Sequence, residues 1–326
     1  MSASLTPTIS QREREYNMTG VNSCKGKNTM PIQTVGLLSP GDMGHVVGQV
    51  LLRHGLQVVT CLQGRSERTR MLSRKAGLTE VPTHEQLVRE ADLLLSILVP
   101  EEALNTARTV AQALRHASAT TVYADCNAVS PRTAREIAEV ITAAGSRFVD
   151  AGIIGSPPHK EGTTRFYASG PDVEVFVELG RYGLDVRPLG LEVGQASGIK
   201  MCYAAFTKGT TALATGLLTV AHSMGLYEPL VQEFQKSQGE RYRTMERQIP
   251  VMPTKASRWI GEMEEIAQTF ADAGLTPKFH QAAADMYRFV ASTPLAEETP
   301  ETRDRDRILA QVIDVLAASL KSQTPA

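Results

Sequence analysis

Hydrophobic residues between positions 32 and 195 fall into short apolar runs, separated by segments with helical spacing. The run IQTVGLL at 32–38 ends in turn residues and predicts a buried strand. The segment that follows has apolar residues at helical spacing up to Gly55, where a helix is expected to end. Further strands are predicted at 56–62, 92–100, 120–126, 147–153 and 164–169, and a further helix begins at Pro131. This alternation is typical of a parallel, doubly wound sheet.

The alternation stops near residue 195, and the rest of the chain has helical periodicity. Residues 196–225 predict one long helix, with Ser197 as its N-cap and Gly225 as its C-cap. Its residues are apolar or small on nearly every side, so we expect it to be buried all round. Amphipathic helices are predicted after it in VQEFQKSQGERYRTMERQI, RWIGEMEEIAQTFADAG and PKFHQAAADMYRFVAST.

The predicted fold is therefore α/β. A Rossmann-type doubly wound parallel sheet is followed by an all-α C-terminal domain with a long interdomain helix. We expect three parts: a flexible extension at 1–30, a dinucleotide-binding domain at 31–195 and a helical substrate and dimerisation domain at 196–326. The extension is rich in polar residues and shows no periodicity. The extension could also be an organelle-targeting segment, but Glu13 and Glu15 argue against this because such segments contain few acidic residues.

Composition excludes several classes of protein. The net charge of −1 gives no attraction to nucleic acid or to an anionic membrane. The longest apolar run, 209–224, is shorter than the ~20 residues that span a bilayer. The four cysteines form no C-x-x-C pair, which favours a reducing compartment, and we expect a cytoplasmic protein. The seven histidines show no metal-ligand spacing, so no metal site is expected.

The stretch GLLSPGDMG joins the first predicted strand to the first predicted helix. Glycines in such a turn let the backbone approach a pyrophosphate, and the helix N-terminus offers N–H groups to it. Gly41 and Gly44 fill these roles, but Ser39 stands where the first glycine is expected, and the tight turn is kept if its φ is negative. We predict cofactor contacts in this turn by Ser39, Pro40, Gly41, Asp42, Met43 and Gly44.

The end of the second predicted strand suggests which dinucleotide binds. NAD sites usually have an Asp or Glu there, but this chain has Leu62 and Gln63. The residues that follow and suit a 2′-phosphate are Arg65, Ser66 and Arg68. Glu67 leaves open the alternative that these arginines form only a solvated, paired face. NADP is therefore favoured over NAD.

Lys200 lies in the first turn of the long apolar helix. Desolvation and the positive end of the helix dipole both disfavour its charge. It is either a proton donor with a lowered pKa or a lysine that extends to solvent, and the residues alone do not decide between them. Lys208, two turns later, is a rival on a similar face.

Three stretches together resemble the β-hydroxyacid dehydrogenase superfamily: GLLSPGDMG, DAGIIGS at 150–156 and GQASGIK at 194–200. That superfamily includes 6-phosphogluconate and 3-hydroxyisobutyrate dehydrogenases, and imine reductases are similar in architecture. SPGDMG, KMCYAAFTKG and GEMEEIAQTFADAG look like a branch that has a C-terminal domain of unknown function. The resemblance covers about 32–290.

The resemblance implies roles for particular residues. Lys200 matches the catalytic lysine, and Asn127 in DCNAVSP matches a residue beside nicotinamide and substrate. A loop along the cofactor is implied for Leu98, Val99 and Pro100. The substrate pocket is expected to include Ile154, Gly155, Ser156, Tyr203 and Lys208.

Two departures concern that pocket. Ile154 replaces the serine of the usual DAPVSGG motif, and Ala204 replaces the asparagine one turn after the lysine. Carboxylate recognition of the ordinary kind is therefore in doubt, and an unusual, larger or less acidic substrate is expected.

The sequence therefore predicts an NADPH-linked oxidoreductase that transfers a hydride between nicotinamide and a carbonyl or hydroxyl carbon of a small molecule. An imine reductase acting on C=N and a non-catalytic NADPH-binding regulator are the alternatives. We also expect a homodimer, because the long helix needs cover and its small residues allow another helix to approach. Trp259 or His280 of the partner could reach the cleft, or the two could simply pack the helical core.

Overall fold

The computed structural model describes residues 31–323. Eight strands form one sheet in the order β3-β2-β1-β4-β5-β6-β7-β8. The strands are β1 Thr34–Leu38, β2 Gln57–Cys61, β3 Thr79–Val81, β4 Leu93–Ser96, β5 Val122–Asp125, β6 Phe148–Gly155, β7 Thr164–Ser169 and β8 Asp185–Gly190. Strands β1 to β6 are parallel, in the order that defines a dinucleotide-binding sheet. The predicted Rossmann-type sheet is confirmed.

The last two strands differ from the expected parallel alternation. Strand β7 pairs antiparallel with β6, from Asp150 opposite Ser169 to Gly155 opposite Thr164, and β8 pairs parallel with β7. The reason is the short connection at 156–163. A parallel crossover needs about a dozen residues or more, whereas a hairpin needs only a few. The hairpin thus places β7 directly beside β6.

Helices cover both faces of the sheet. Around it lie α1 Gly44–Arg53, α2 Glu67–Ala76, α3 His84–Glu90, α4 Pro100–Ala117, α5 Pro131–Thr142 and α6 Val173–Val177. Two separate apolar clusters, one on each face, bury the central strands. Strands β1, β4 and β5 carry nearly continuous apolar runs because both of their faces are covered.

The C-terminal part is helical, as predicted. It contains α7 Gln195–Ser223, α8 Tyr227–Ser237, α9 Gly239–Gln248, α10 Ala256–Asp272, α11 Lys278–Ala291 and α12 Leu309–Gln323. The amphipathic segment after α7 is broken at Gln238, so it forms two helices rather than one. No helix in the described part of the chain has the length and apolar character needed to cross a bilayer.

The predicted boundaries have different outcomes. Residues 1–30 lie outside the described residues. Helix α7 begins at Gln195, close to the predicted boundary, yet the described residues from Ile32 onward form one compact unit by their contacts. The division into domains at 31–195 and 196–326 therefore stays a prediction.

A buried carboxylate ties α7 to the sheet. Asp150 in β6 accepts hydrogen bonds through Oδ2 from the backbone N–H groups of Gly194, Ala196 and Ser197, at 2.8, 3.1 and 3.1 Å. Its Oδ2 also accepts from the Ser169 hydroxyl at 3.0 Å, and its Oδ1 accepts from the Ser197 hydroxyl at 2.6 Å. The helix N-cap is Gly194, not Ser197 as expected, because the Ser197 hydroxyl donates to Asp150.

The expectation that α7 is buried all round is wrong for the single chain. The small residues Ala204, Ala205, Ala212 and Ala214 face the chain's own helical core. A stripe of larger side chains is exposed instead, and its members are Phe206 (73%), Leu213 (68%), Val220 (51%) and Met224 (64%). Helices α10, α11 and α12 cover only the other side of α7.

Candidate active site

The carboxyl ends of β1 and β4 meet at one edge of the sheet, where the strand order reverses. Ligands of open α/β sheets bind at this point. The turn from Ser39 to Gly44 lies here, between β1 and α1. A Cβ on Gly41 would meet nothing within 4 Å, whereas a Cβ on Gly44 would lie 2.8 Å from the Ser39 carbonyl oxygen. The turn is thus open at Gly41 and closely packed at Gly44.

The tight turn is kept although the φ of Ser39 is not negative. Its φ is +65°, which is left-handed backbone, and its carbonyl oxygen accepts the Gly41 N–H at 2.8 Å. The turn thus keeps the conformation for which a glycine is favoured. A non-glycine residue in this region costs roughly 1–2 kcal/mol.

Asn127, which follows β5, is buried and its amide is well bonded. Its Nδ2 donates to Ser96 Oγ at 3.0 Å and to Asp125 Oδ1 at 2.5 Å. Its Oδ1 accepts the Leu98 N–H at 2.5 Å. Both hydrogens of the Asn127 amide are therefore already bonded. The predicted contact of Asn127 with a substrate would need either the second lone pair of its Oδ1 or a change in these hydrogen bonds. In this structure the amide fixes Leu98 in the short loop that leads through Val99 into α4, which begins at Pro100.

Asp125 supports this amide. Burial and the nearby charge of Asp150 raise the pKa of the Asp125 carboxyl to about 8, although the hydrogen bonds from Asn127 act to lower it. Asp125 is fully buried at the end of β5. Its carboxyl is thus mainly protonated at neutral pH, which lessens the repulsion of a second buried negative charge near Asp150.

The three residues predicted for a 2′-phosphate lie together after β2, in different environments. The Ser66 hydroxyl accepts the Thr69 N–H at 3.3 Å and caps α2. Arg68 Nη2 donates to Asp42 at 2.5 Å and to Glu301 at 2.7 Å. Among the described residues, no carboxylate forms an ion pair with Arg65, and burial lowers the pKa of its guanidinium. Arg65 is therefore the more available cation.

Lys200 lies in the second turn of α7, where the helix crosses β6. A Cβ on Gly152 would lie 2.6 Å from the Ala196 carbonyl oxygen, so only glycine permits this approach. The Lys200 ammonium donates to the Ile153 carbonyl oxygen at 2.8 Å. Desolvation, followed by the charge of Lys208, lowers the pKa of Lys200 to about 8.

Lys208, the other candidate proton donor on the same helix, has a different partner. It is 8% exposed and forms a buried ion pair with Glu262 of α10. Burial alone would raise the pKa of Glu262, but the charges of Lys208, Lys200 and Arg258 lower it to about 2. Lys208 is thus paired with a carboxylate, and it contributes positive charge beside Lys200.

Trp259 and His280 have partners within their own chain. The Lys208 ammonium lies 5.4 Å from the centre of the Trp259 ring, which meets Tyr287 edge to face at 5.3 Å. His280 packs against Phe270 at 4.3 Å between ring centres. These contacts support the reading in which both residues pack the helical core.

The remaining predicted pocket residues lie around the β6–β7 hairpin and on α7. Ile154 is 3% exposed, and Gly155 has a φ of +126° beside the carbonyl of Thr163. Ser156 is exposed, and its carbonyl accepts the Thr164 hydroxyl. Tyr203 is 48% exposed on α7. Ile154 puts an apolar side chain where the superfamily resemblance expected a hydroxyl.

Three residues of the site were not singled out by sequence reasoning. Asp150 was part of a quoted motif, Asp125 preceded Asn127, and Glu262 lay in an amphipathic helix. An acid at the end of an apolar strand was a usable signal for Asp125, since such positions are rarely charged without a role. Glu262 gave no signal, because its partner Lys208 lies 54 positions earlier.

The fold and site together define a dinucleotide-binding oxidoreductase. An open glycine turn and a helix N-terminus lie at the β1–β4 switch point, and cationic side chains follow β2, so these residues fit a dinucleotide. When bound, this group supplies the redox chemistry, and the chain supplies the binding site.

Comparison with known proteins agrees. Residues 34–178 match the NAD-binding domain of 6-phosphogluconate dehydrogenase, and residues 221–290 match a domain of unknown function (DUF1932). The conserved protein MTH1747, whose structure is described as similar to 3-hydroxyacid dehydrogenases, is 32% identical, with 79% of this chain and 96% of that chain covered and a TM-score of 0.59. The chain belongs to the β-hydroxyacid dehydrogenase superfamily, in the branch with that C-terminal domain, and is an NAD(P)-dependent dehydrogenase or reductase.

Two further proteins are similar. An uncharacterized 28.5 kDa protein of Methanothermus fervidus is 27% identical over 208 residues, which are 64% of this chain and 78% of that protein. The 3-hydroxyisobutyrate dehydrogenase of Salmonella typhimurium shares the fold with a TM-score of 0.65 at 17% identity, with 87% of this chain and 99% of that chain covered.

The lowered pKa of Lys200 leads to a pH prediction. If Lys200 is the proton donor, it must be protonated during reduction, so the rate of substrate reduction should fall as pH rises through about 8. In the oxidation direction the same group must be neutral, and the rate should rise through the same pH. Initial rates between pH 6 and 10 measure both limbs.

Lys200→Arg is the control, because arginine stays charged over this range and should remove the inflection. An inflection that stays in Lys200→Arg, or one that lies near the ordinary lysine value of about 10.4, would contradict the assignment.

Proposed function

We propose that the protein is an NADPH-linked oxidoreductase acting between nicotinamide and a carbonyl or hydroxyl carbon of a small molecule. The observation that carries this proposal is Lys200. Its ammonium is partly buried where α7 crosses β6, donates to the Ile153 carbonyl oxygen, and has its pKa lowered to about 8 by desolvation and by Lys208. A group with these properties can exchange a proton near neutral pH.

In the proposed mechanism each residue has a defined task. Lys200 Nζ gives a proton to the substrate oxygen during reduction and takes one back during oxidation. Its bond to Ile153 holds the ammonium in one orientation while the substrate is absent. Asn127 acts on the cofactor side, because its amide fixes the loop at Leu98. Lys208 and Glu262 form a fixed ion pair beside Lys200, and their charges act on its pKa.

The first prediction of this mechanism compares the two lysines. Lys200→Gln should lose about 10²- to 10⁴-fold in turnover, the scale of general acid–base catalysis, with NADP affinity nearly unchanged. Lys208→Gln should affect stability and the pH profile more than the proton-transfer step, because it leaves Glu262 buried without its partner. Turnover is measured with a panel of keto acids, hydroxy acids and cyclic imines. If both variants were fully folded and Lys208→Gln lost more turnover than Lys200→Gln, Lys208 rather than Lys200 would be the proton donor.

The same panel separates the alternative functions. Turnover of cyclic imines, with no carbonyl or hydroxy compound accepted, would make the reaction a C=N reduction. Tight NADPH binding with no turnover on any member would favour a non-catalytic regulator.

The NADP preference rests on the residues after β2. No acid stands at Leu62 or Gln63, and the half-buried Arg65 is available to an anion. Arg65→Ala should weaken NADP binding by about 1.5–3 kcal/mol, the scale of a hydrogen bond to a charged group, and should spare NAD. Titration of both dinucleotides by fluorescence measures this. Equal losses for NAD and NADP would contradict a 2′-phosphate contact.

We also propose that the protein is a homodimer. The exposed residues of the α7 stripe, Phe206, Leu213 and Val220, recur every seven positions and form one seam along the helix. A second copy of α7 would cover this seam through a two-fold interface. Large exposed apolar seams of this kind are otherwise rare on soluble proteins.

Light scattering at micromolar concentration tests the dimer. We expect twice the mass of one chain, and Leu213→Glu should shift the protein towards the monomer because it places a charge in the centre of the seam. Phe279→Glu, at an exposed position outside the stripe, is the matched control and should leave the mass unchanged. A stable monomer of the unmodified protein would contradict the proposal.

A further inference from the structure

The loop at 298–307, which precedes α12, is an ordered segment. Glu298 and Arg307 close it with two hydrogen bonds of 2.9 and 2.5 Å. Inside it, the Thr299 hydroxyl accepts the backbone N–H of Glu301 at 3.3 Å, and the Thr299 carbonyl accepts that of Arg303 at 2.9 Å. These bonds present the Glu301 side chain in a defined direction.

Glu301 reaches the dinucleotide-binding edge of the sheet. Arg68 donates to it twice, from Nη2 at 2.7 Å and from Nε at 3.3 Å. The same Nη2 donates to Asp42 of the glycine turn at 2.5 Å. The hydrogen bonds from Arg68 lower the pKa of Glu301 to about 2. One guanidinium thus holds a carboxylate from the glycine turn and another from a loop 233 positions away.

The charges of this cluster discriminate between the two dinucleotides. Asp42, Glu301 and Arg68 together carry a net charge of −1. A 2′-phosphate brings about −1.5 to −2 more at neutral pH, so it cannot join Arg68 while both carboxylates remain without strong repulsion. NAD has hydroxyls at that position and does not disturb the cluster.

The second half of the loop borders a cavity of about 520 Å³, which is also lined by Tyr227, Tyr242 and Arg247. The apolar anchors Leu295 and Leu309 are buried on either side of the loop. A shift of Glu301 away from Arg68 therefore leaves the helical core intact.

We propose that Glu301 is a specificity-determining residue that competes with the 2′-phosphate of NADP for Arg68. The C-terminal loop thereby weakens NADP binding relative to NAD, and bound NADP releases Glu301 from Arg68. This inference rests on the proposed function only in that the adenosine end of the cofactor lies beside Arg68.

The test is dinucleotide binding to Glu301→Gln. Removing this carboxylate should tighten NADP about fivefold, which corresponds to the upper range for an exposed ion pair, and should change NAD by less than about twofold. Asp306→Asn is the matched control, because it removes the same charge from an exposed position on the same loop. It should leave both affinities within about twofold, since exposed charges at a distance are screened.

A double variant tests the route through Arg68. In an Arg68→Gln background, Glu301→Gln should no longer affect NADP. The inference is overturned if Glu301→Gln leaves the NADP affinity unchanged, if Asp306→Asn tightens NADP equally, or if the effect persists without Arg68. In these cases NADP still binds and the proposed function stands. A protein that binds neither dinucleotide in any variant would overturn both.

Discussion

The Asp150 carboxylate holds the helical part of the molecule onto the sheet. It lies in β6 and accepts the backbone N–H groups at the start of α7, so it does the work of an N-cap from another element. A buried carboxylate without a cationic partner is costly, and here the helix N-terminus supplies the compensating positive charge. Because α7 is fixed at its first turn, Lys200 is placed over the end of β6, within reach of the Ile153 carbonyl.

The rest of the site follows from that anchor. Only glycine at position 152 permits the close crossing of β6 and α7, and the crossing removes Lys200 from water. Two turns on, Lys208 meets Glu262 of α10, so α7 is tied to the sheet at one end and to the helical core further along. At the other side of the cleft, Asp125 and Asn127 fix the loop after β4. The contacts of Asp125 and Asn127 lie at the strand ends at which an open α/β sheet binds its ligand.

Much of the fold was predictable from periodicity, because strands β1, β4 and β5 and the long helix have strong apolar patterns. Strands β3 and β8 were missed, since nearly all of their residues are exposed or only partly buried and give no apolar run. The direction of β7 depended on the length of one connection. Lys200 and the glycine turn could be predicted from type and spacing. The partners of Lys208, Arg68 and Asp150 could not, because each lies on an element that only the tertiary fold brings near.

Ser39 illustrates a local rule that the fold overrides. Non-glycine residues generally have negative φ, whereas Ser39 is left-handed and its carbonyl oxygen accepts the Gly41 N–H. The exposed stripe of α7 is the opposite case. The apolar pattern was read correctly, but the chain's own helices cover only one side of it.

The most direct test of this account is the free energy of unfolding of Asp150→Ala, measured by urea denaturation beside Asp92→Ala. Asp92 is a matched control, because its carboxylate accepts the backbone N–H groups of Gln33 and Thr34 at an exposed position. We predict a loss of about 3–5 kcal/mol for Asp150→Ala, since buried donors are left unsatisfied, and of about 1 kcal/mol for Asp92→Ala. Similar losses for the two variants would contradict the claim that Asp150 holds α7, and with it Lys200, onto the sheet.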